Sequence, residues 1–202
     1  MPASRVVKGC GLLDPFLAKQ RCRMAKRQIR LAKKNGRILD IGCGSYPLFL
    51  ISVDFSEKYG LDKMVCNGLN GNTKEQGITL ISSEIGQEES LPFESDYFDV
   101  VSMLAVFEHI EPGKLVEIHK EIYRVLKPGG MYIMTTPAIW TDGLLRFLAR
   151  LGLISNVQIG EHKGSYDHSM GSSVLQEADF QREKLRFGYF ELFMNIRATT
   201  DK

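Results

Sequence analysis

The sequence lacks the long apolar segments and the cysteine pattern that would mark a membrane or metal-binding protein. No apolar run approaches the roughly 18 to 20 residues needed to cross a bilayer, and the N-terminus has no apolar core of a signal peptide. The four cysteines form no CxxC pair and have no histidine partners at metal-ligand spacing; they are Cys10, Cys22, Cys43 and Cys66. We therefore expect a cytoplasmic protein with reduced thiols and no metal.

No internal repeat, low-complexity tract or linker rich in proline and serine divides the 202 residues. This length suits one well-buried core and is short for two ordinary domains. Hydrophobic residues make up 44% of the chain and charged residues 25%, which are ordinary values for a globular protein. We predict one structural domain, in which residues 1–36 form a basic helical cap and residues 37–202 form the body.

Basic charge is concentrated at the beginning of the chain. Residues 1–37 contain 11 lysines and arginines and one acidic residue, whereas the remainder contains 15 basic and 23 acidic residues. A basic segment of this kind could contact nucleic acid, anionic lipid or an acidic substrate, or it could be the solvated face of a helix.

The same segment has the pattern of one helix. Asp14-Pro15 is typical of an N-cap followed by proline at the first helical position, and Asn35-Gly36 is typical of a helix end. Small or apolar residues recur every three or four positions between them, at Ala18, Cys22, Ala25, Ile29 and Ala32. We expect this helix to lie flat on the domain.

From residue 37 onward, short apolar runs alternate with helical patterns. Strands are predicted at 37–41, 58–62, 78–85, 98–104 and 131–136, a helix at 112–126, an amphipathic segment at 143–153 and a closing strand pair within 185–197. This alternation predicts an α/β fold with a doubly wound, mostly parallel sheet and helices on both faces.

A glycine turn follows the first predicted strand, at Gly42-Cys43-Gly44. Ligands of doubly wound sheets bind beyond the carboxyl ends of the strands, and an acidic residue about 20 positions after the first glycine binds ribose hydroxyls. Asp62 has this spacing, whereas Asp54 is expected within a helix. A nicotinamide or flavin dinucleotide site is poorly supported, because Pro47 stands where its third glycine is needed.

Further segments follow in a fixed order: ILDIGCG, LPFESDYFDVV, VFEHI, YRVLKPGG and TTP. As an ordered set over residues 37–137 they resemble the small-molecule class I methyltransferases of the ubiquinone-biosynthesis-like superfamily. The resemblance implies a seven-stranded Rossmann-like sheet and S-adenosyl-L-methionine as cofactor. The C-terminal part also looks similar to methyltransferases encoded with enzymes of polysaccharide and cell-envelope biosynthesis.

The resemblance also implies which residues contact the cofactor. They are Asp40, Gly42, Cys43 and Gly44 for the methionine half, Asp62 for the ribose, and Met103, Leu104 and Ala105 beside the sulfonium. The family usually has an aspartate at the adenine after the third strand, and this sequence departs from that pattern. Glu84, Ile85, Gln87 and Glu88 are the candidates, with Glu84-Ile85 preferred.

Methyl transfer to a hydroxyl benefits from a base that removes the proton. The candidates are His109 and Glu108, which follow the fourth strand, and His162, in a polar segment at 160–173 where acceptor-binding loops are expected. His119 is expected on the surface of a helix. Tyr46, Trp140 and Tyr166 could shape an acceptor pocket or belong to the core.

We predict a small-molecule or glycan acceptor, methylated at a hydroxyl. One alternative is a non-catalytic protein of the same fold that binds a partner through its basic helix. Another is an RNA methyltransferase, which is less favoured because the basic segment lacks interleaved aromatics and no Asn/Asp-Pro-Pro-aromatic motif follows the fourth strand.

Overall fold

A computed structural model describes residues 12–29, 36–65, 76–87, 90–155, 159–160, 163, 166–190 and 195–202. The helices in these ranges are α1 (Asp14–Gln28), α2 (Leu48–Ser52), α3 (Leu115–Val125), α4 (Asp142–Arg150) and α5 (His168–Glu177). The strands are β1 (Arg37–Ile41), β2 (Glu57–Asp62), β3 (Ile78–Ser82), β4 (Phe98–Leu104), β5 (Leu126–Pro137), β6 (Arg186–Phe190) and β7 (Asn195–Asp201). None of these helices is both long and apolar enough to span a bilayer.

The seven strands form one sheet in the order β3-β2-β1-β4-β5-β7-β6. The first five strands run parallel, β7 pairs antiparallel with β5, and β6 pairs antiparallel with β7. Ile38, Leu39 and Ile41 of the central strand β1 are fully buried, as expected for a strand covered on both faces. The predicted fold class is confirmed.

Helices cover both faces of this sheet. On one face, α3 and α5 contribute Ile122 and Leu175 to a core with Leu39 and Tyr132. On the other face, α1 and α2 pack on the sheet through Ala25, Phe49 and Leu50. The carboxyl ends of the parallel strands therefore form one open edge between two helical layers.

Two predicted strands have different bounds. The third ends at Ser82 and not at 85, because the chain turns away over Ser83 to Gln87 with Gly86 in the left-handed region. The fifth begins at Leu126, directly after α3, five residues earlier than predicted, and ends at Pro137. The predicted closing pair is confirmed as β6 and β7, and its second strand continues to Asp201.

Helix α1 is shorter than predicted. It ends at Gln28, because Ile29 has the extended dihedral angles φ −70° and ψ 121°. Asp14 is the first helical residue and not the N-cap, a position that Leu13 occupies. The predicted stop at Asn35 and the stripe residue Ala32 lie outside the described residues.

The expectation that His119 lies on the surface is wrong. Its side chain is fully buried on the inner face of α3, with Nδ1 2.7 Å from the Leu115 carbonyl oxygen and Nε2 3.0 Å from the Tyr132 hydroxyl. Burial lowers the pKa of this imidazole to about 4, so that it is neutral. Because the carbonyl can only accept, Nδ1 carries the proton, and the ring joins α3 to β5.

The predicted loop at 160–173 is partly helical. Helix α5 begins at His168, and the side chain of Asp167 caps it by accepting a hydrogen bond from the Met170 amide. The polar residues at this point therefore serve a helix start, a role that a loop assignment misses.

Candidate active site

The glycine turn folds against the end of the neighbouring strand. Gly42 follows β1 with φ +74°, and its amide donates to the Leu61 carbonyl oxygen at 2.7 Å. A Cβ at Gly42 would lie 2.1 Å from Val106 Cγ2, so this position accepts only glycine for reasons of both conformation and space. The turn is thereby fixed between β2 and the segment after β4.

Gly44 differs from Gly42 in its surroundings. It also has a positive φ, +71°, yet a Cβ there would meet nothing within 4 Å. The Gly44 amide donates to Asp62 Oδ2 at 2.9 Å, and the Met64 amide donates to Oδ1 at 2.7 Å. The Asp62 carboxylate therefore stands beside an open space above the glycine turn.

The structure separates the two aspartates that were weighed for the ribose. Asp62 is the last residue of β2, at the carboxyl edge of the sheet. Asp54 is exposed in the connection between α2 and β2, at the opposite edge. The preference for Asp62 agrees with this placement. The expectation that Asp54 lies within a helix is wrong, because α2 already ends at Ser52.

Asp40 is a buried carboxyl group next to this turn. It is 4% exposed, and Ser102 donates its hydroxyl to Oδ1 at 2.7 Å. Burial raises the pKa of Asp40 to about 7, the Ser102 hydrogen bond opposes the rise, and the charge of Asp62 adds to it. Two neighbouring carboxyl groups favour a cationic ligand and disfavour a pyrophosphate.

The two described cysteines, Cys22 and Cys43, are free thiols. Cys43 is buried in the glycine turn, and burial raises its pKa far above the ordinary thiol value. Burial, followed by the charge of Asp40, raises the pKa of Cys22 to about 11. Cys22 belongs to α1, so this helix passes close to the carboxyl end of β1.

After β4 the chain turns through an unusual conformation. Ala105 has φ +57°, and its amide donates to both the carbonyl and hydroxyl oxygens of Thr135 at 3.0 Å. Left-handed dihedral angles are unfavourable for alanine and persist only where neighbouring contacts hold them. Leu104 and Ala105 are partly accessible here, whereas the Met103 side chain is fully buried in the core.

The candidates for the adenine contact follow β3. Glu84 is exposed and 3.9 Å from Lys63, Gln87 is exposed, and Ile85 packs against the core. Ile85 and Glu84 also line a cavity of about 60 Å³ on the side of α3, which the glycine turn does not reach. Glu88 lies outside the described residues.

Glu108 is the second buried carboxyl group at this edge. It lies in a short 3-10 turn after β4, is 3% exposed, and its Oε2 has no hydrogen-bond partner among the described residues. Burial raises its pKa to about 7, although its own backbone, the charge of Arg21 in α1 and the Thr136 hydroxyl oppose the rise. His109 beside it is half-buried. The candidate base His162 lies outside the described residues.

The three aromatic candidates for the acceptor pocket differ in their burial. Tyr166 is buried, donates to the Ile110 carbonyl oxygen at 3.3 Å, and meets the Phe107 ring edge-on at 4.7 Å. It therefore belongs to the core under the turn that carries Glu108. Tyr46 and Trp140 are exposed, at 59% and 56%.

Sequence reasoning missed several residues of the site. Ser102 binds Asp40, Thr135 holds the Ala105 turn, and α1 brings Arg21 into electrostatic range of Glu108. Ser102 lies in none of the quoted motifs and Thr135 belongs to the TTP segment, but the contacts of both depend on strand pairing between β1, β4 and β5. No group of residues suited to hold a metal ion occurs in the described part of the chain.

Comparisons with known proteins agree with this geometry. Residues 39–134 match the family model described as a methyltransferase domain. The fold resembles that of a putative S-adenosylmethionine-dependent methyltransferase of Methanococcus maripaludis, with a TM-score of 0.67, 18% identity, and coverage of 95% of this chain and 89% of that one. It also resembles phosphoethanolamine N-methyltransferase 2 of Haemonchus contortus in complex with S-adenosylmethionine, with a TM-score of 0.63, 20% identity, and coverage of 85% and 38%.

Curated relatives match by sequence over part of their length. Sterol 4-C-methyltransferase of Caenorhabditis elegans is 32% identical over 126 residues, which are 60% of this chain and 36% of the relative. The ubiquinone biosynthesis O-methyltransferase of Paraburkholderia phymatum is 30% identical over 105 residues, 50% of this chain and 44% of the relative. The chain thus spans less than half the length of these relatives.

Residues 39–134 are similar to a methyltransferase domain, and the chain resembles S-adenosylmethionine-dependent methyltransferases in fold and in sequence. The sheet order and the glycine turn agree with this match, because the fold is the Rossmann-like fold of class I methyltransferases. The resemblance found in the sequence motifs is confirmed.

Proposed function

We propose that this chain transfers a methyl group from S-adenosylmethionine to a hydroxyl group of a small organic molecule, with Glu108 as the base. The observation that carries the proposal is the buried Oε2 atom of Glu108, which has no hydrogen-bond partner among the described residues. A buried polar atom without a partner costs free energy. A bound ligand that forms a hydrogen bond with this atom would offset the cost.

The residues around the glycine turn fit the cofactor. Gly44 leaves open space where any side chain would intrude, and the carboxylates of Asp40 and Asp62 suit a ligand that carries positive charge. Each Asp62 oxygen accepts one amide in the described structure, which leaves lone pairs for ribose hydroxyls. Leu104 and Ala105 would border the reacting end, and Glu84 and Ile85 the adenine.

The cofactor supplies an electrophilic methyl group when it is bound. The chain's own work is therefore to align the acceptor and to exclude water. Ala105 turns the backbone at this edge, and Glu108 stands on the next turn with its carboxyl group shielded from solvent. Helix α1 passes over the same edge, and we propose that it covers the cleft.

Glu108 suits the removal of a hydroxyl proton near neutral pH. A base is most effective when its pKa is close to the working pH, and burial raises the pKa of Glu108 to about 7. The acceptor hydroxyl would give its proton to Oε2 as its oxygen takes the methyl group. His109 is the adjacent alternative, since it lies half-buried on the same turn.

The named relatives support a small molecule as acceptor. One is named for sterol methylation and another for ubiquinone biosynthesis. The acidic character of the cleft, with Asp40, Asp62 and Glu108, argues against a nucleic acid, because phosphates would be repelled there.

Calorimetry tests the cofactor part of this proposal. We expect S-adenosylmethionine to bind the folded protein and a nicotinamide dinucleotide not to bind. Absence of heat with S-adenosylmethionine at millimolar concentration would contradict it.

Product formation with a panel of hydroxylated small molecules tests the transfer. We expect Glu108→Gln to lower kcat by roughly 10²- to 10⁴-fold, the usual contribution of a positioned base, with the cofactor Kd unchanged. The control is Glu111→Gln, whose side chain is 59% exposed on the same loop. An unchanged kcat in Glu108→Gln, or an equal loss in the control, would remove Glu108 from the reaction.

A further inference from the structure

We infer that the surface formed by the start of α1 and by α4 binds an anionic lipid bilayer. This inference concerns a face outside the cofactor cleft and does not depend on the transfer chemistry. It rests on the exposure, the spacing and the charge of named side chains.

Helix α4 turns an apolar stripe outward. Of Trp140, Leu144, Phe147 and Leu151, the middle two lie three residues apart on one side of α4, Trp140 lies in the 3-10 turn before the helix, and Leu151 directly follows it. Their exposed fractions are 56%, 38%, 56% and 57%, whereas Ala149 on the opposite side is buried. An amphipathic surface helix normally buries its apolar stripe. Here that stripe faces outward.

The start of α1 continues this stripe. Leu12, Leu13 and Phe16 are exposed at 81%, 38% and 56%. The Leu13 amide donates to the Leu153 carbonyl oxygen at 2.8 Å, which joins the start of α1 to the chain just after α4. We call the combined surface the apolar face, with the members Leu12, Leu13, Phe16, Trp140, Leu144, Phe147 and Leu151.

Positive charge accompanies the apolar face. Six basic side chains are exposed on the two helices, namely Lys19, Arg23, Lys26, Arg27, Arg146 and Arg150. The acidic residues of these helices are Asp14 and Asp142, and Arg146 binds Asp142 at 2.8 Å. Amphipathic helices with basic residues, tryptophan, phenylalanine and leucine insert between lipid headgroups, and anionic lipids attract their charges.

This charge also distinguishes a bilayer from a second copy of the chain. A twofold contact places the same surface on both partners. The arginines of α4 and the basic residues of α1 would then face their own copies at an apolar contact. An anionic bilayer instead neutralises them while it buries the apolar side chains.

The apolar face lies beside the candidate active site. Helix α4 follows β5 after a single 3-10 turn, at the same carboxyl edge of the sheet as the glycine turn and Glu108. A bound protein would therefore hold this edge near the lipid. Under the proposed function, an apolar acceptor could enter from the bilayer without crossing water.

Vesicle flotation with the full chain tests the inference. We expect binding to vesicles of equimolar phosphatidylcholine and phosphatidylglycerol, weak binding to phosphatidylcholine alone, and release by salt. The double variant Phe147→Ser and Leu151→Ser should weaken partitioning into the vesicles by at least about tenfold, because it loses two apolar side chains whose transfer from water into the bilayer is favourable. Arg150→Glu should weaken binding to the anionic vesicles only.

The matched control is Met170→Ser, which removes an apolar side chain of 40% exposure on α5. It should bind vesicles like the parent chain. Equal vesicle binding by the double variant would overturn the inference, as would absence of binding by the parent chain.

Two further results would assign the apolar face to another occupant. A concentration-dependent dimer that the double variant abolishes would indicate a second copy. A large fall of Tm in the double variant would indicate that the chain itself covers these side chains. Cofactor calorimetry on the same samples distinguishes either result from a failure of the proposed function.

Discussion

The two sides of the candidate active site are built in different ways. On the cofactor side, the proposed methionine and ribose contacts lie within residues 40–64, where backbone amides of a glycine turn bind the end of the adjacent strand β2. The acceptor side depends on remote contacts. The Lys163 amide donates to the Glu108 carbonyl oxygen at 2.7 Å, and Tyr166 supports the same turn from below.

The cofactor side therefore depends on local backbone conformation, whereas the acceptor side depends on burial. On the cofactor side, two positive φ angles require glycine, so the local sequence is enough to predict the turn. On the acceptor side, Glu108 acquires its raised pKa only because segments distant in the chain exclude water from it. We expect substitutions on the two sides to fail in different ways.

The largest effect should come from Gly42→Ala. Overpacking and a left-handed alanine together cost roughly 2 to 5 kcal/mol of unfolding free energy, because the new Cβ would meet Val106 Cγ2 at 2.1 Å. Denaturant unfolding measures this loss. Gly44→Ala is the matched control. It carries only the conformational strain and should chiefly weaken cofactor binding, since its Cβ enters open space. Equal destabilisation by both would contradict the distinction.

In the core beside β5, His119→Ala should cost about 2 to 4 kcal/mol of unfolding free energy, because it opens a cavity and removes one partner of the Tyr132 hydroxyl. Thermal or denaturant unfolding checks the value, with the exposed neighbour Lys120→Ala as control. A change in His119→Ala as small as in the control would mean that the ring lies at the surface after all.

Asp62→Ala should weaken S-adenosylmethionine binding by about 1 to 3 kcal/mol, the range for hydrogen bonds to a charged group. It also frees the Gly44 and Met64 amides. Asp54→Ala, at the other edge of the sheet, should leave the Kd unchanged. Calorimetric titration of both variants decides, and a greater loss in Asp54→Ala would mean that the ribose site is misplaced.

Cofactor binding should tighten as the pH rises through about 7. A cationic ligand prefers ionised Asp40, and burial raises the pKa of this carboxyl group to about 7 in the free protein. Between pH 6 and pH 8 the Kd should fall by about tenfold, because ligand binding then no longer requires release of a proton. Asp40→Asn should remove most of this dependence. A Kd equally sensitive to pH in that variant would point to Glu108 instead.

The pH dependence of folding has the opposite sign. The pKa values of Asp40 and Glu108 are raised above their unfolded values, so the folded state binds more protons between about pH 4 and pH 7. The contribution of these two groups to the free energy of unfolding should therefore fall as the pH rises through this range. Replacing both by their amides should flatten the profile.

The smallest effect should be on α1. If this helix covers the cleft as proposed, amide exchange within residues 14–28 should slow when the product S-adenosylhomocysteine binds. Exchange measured by mass spectrometry in α3 serves as the internal control, because that helix is packed in the core. Equal exchange of α1 with and without saturating ligand would show that the helix is docked permanently.

Sequence patterns predicted correctly those strands that are determined by their own residues. Arg37–Ile41 and Phe98–Leu104 were found with their observed bounds, because buried parallel strands are short apolar runs. His119 was misjudged although the helical spacing places it on the buried stripe, four residues after Leu115 and three before Ile122. The end of α1 at Gln28 was missed because the sequence pattern continues to residue 35.

The site divides along the same line. The family motifs identified the glycine turn and Asp62, but the burial of Met103 follows from its place on the core face of β4. The roles of Ser102 and Thr135 arise from pairing between strands that are remote in sequence. Which cofactor candidates contact the ligand stays a prediction.

The strand order has a consequence for folding during synthesis on the ribosome. Strand β6 is synthesised before β7, yet in the finished sheet β7 lies between β5 and β6. Until residues 195–201 emerge, β6 has no place to pair and the edge of β5 is uncovered. An uncovered edge can recruit strands from other chains. The vulnerable period of this fold therefore falls between the synthesis of β6 and that of β7, when residues 40–64 have already left the ribosome.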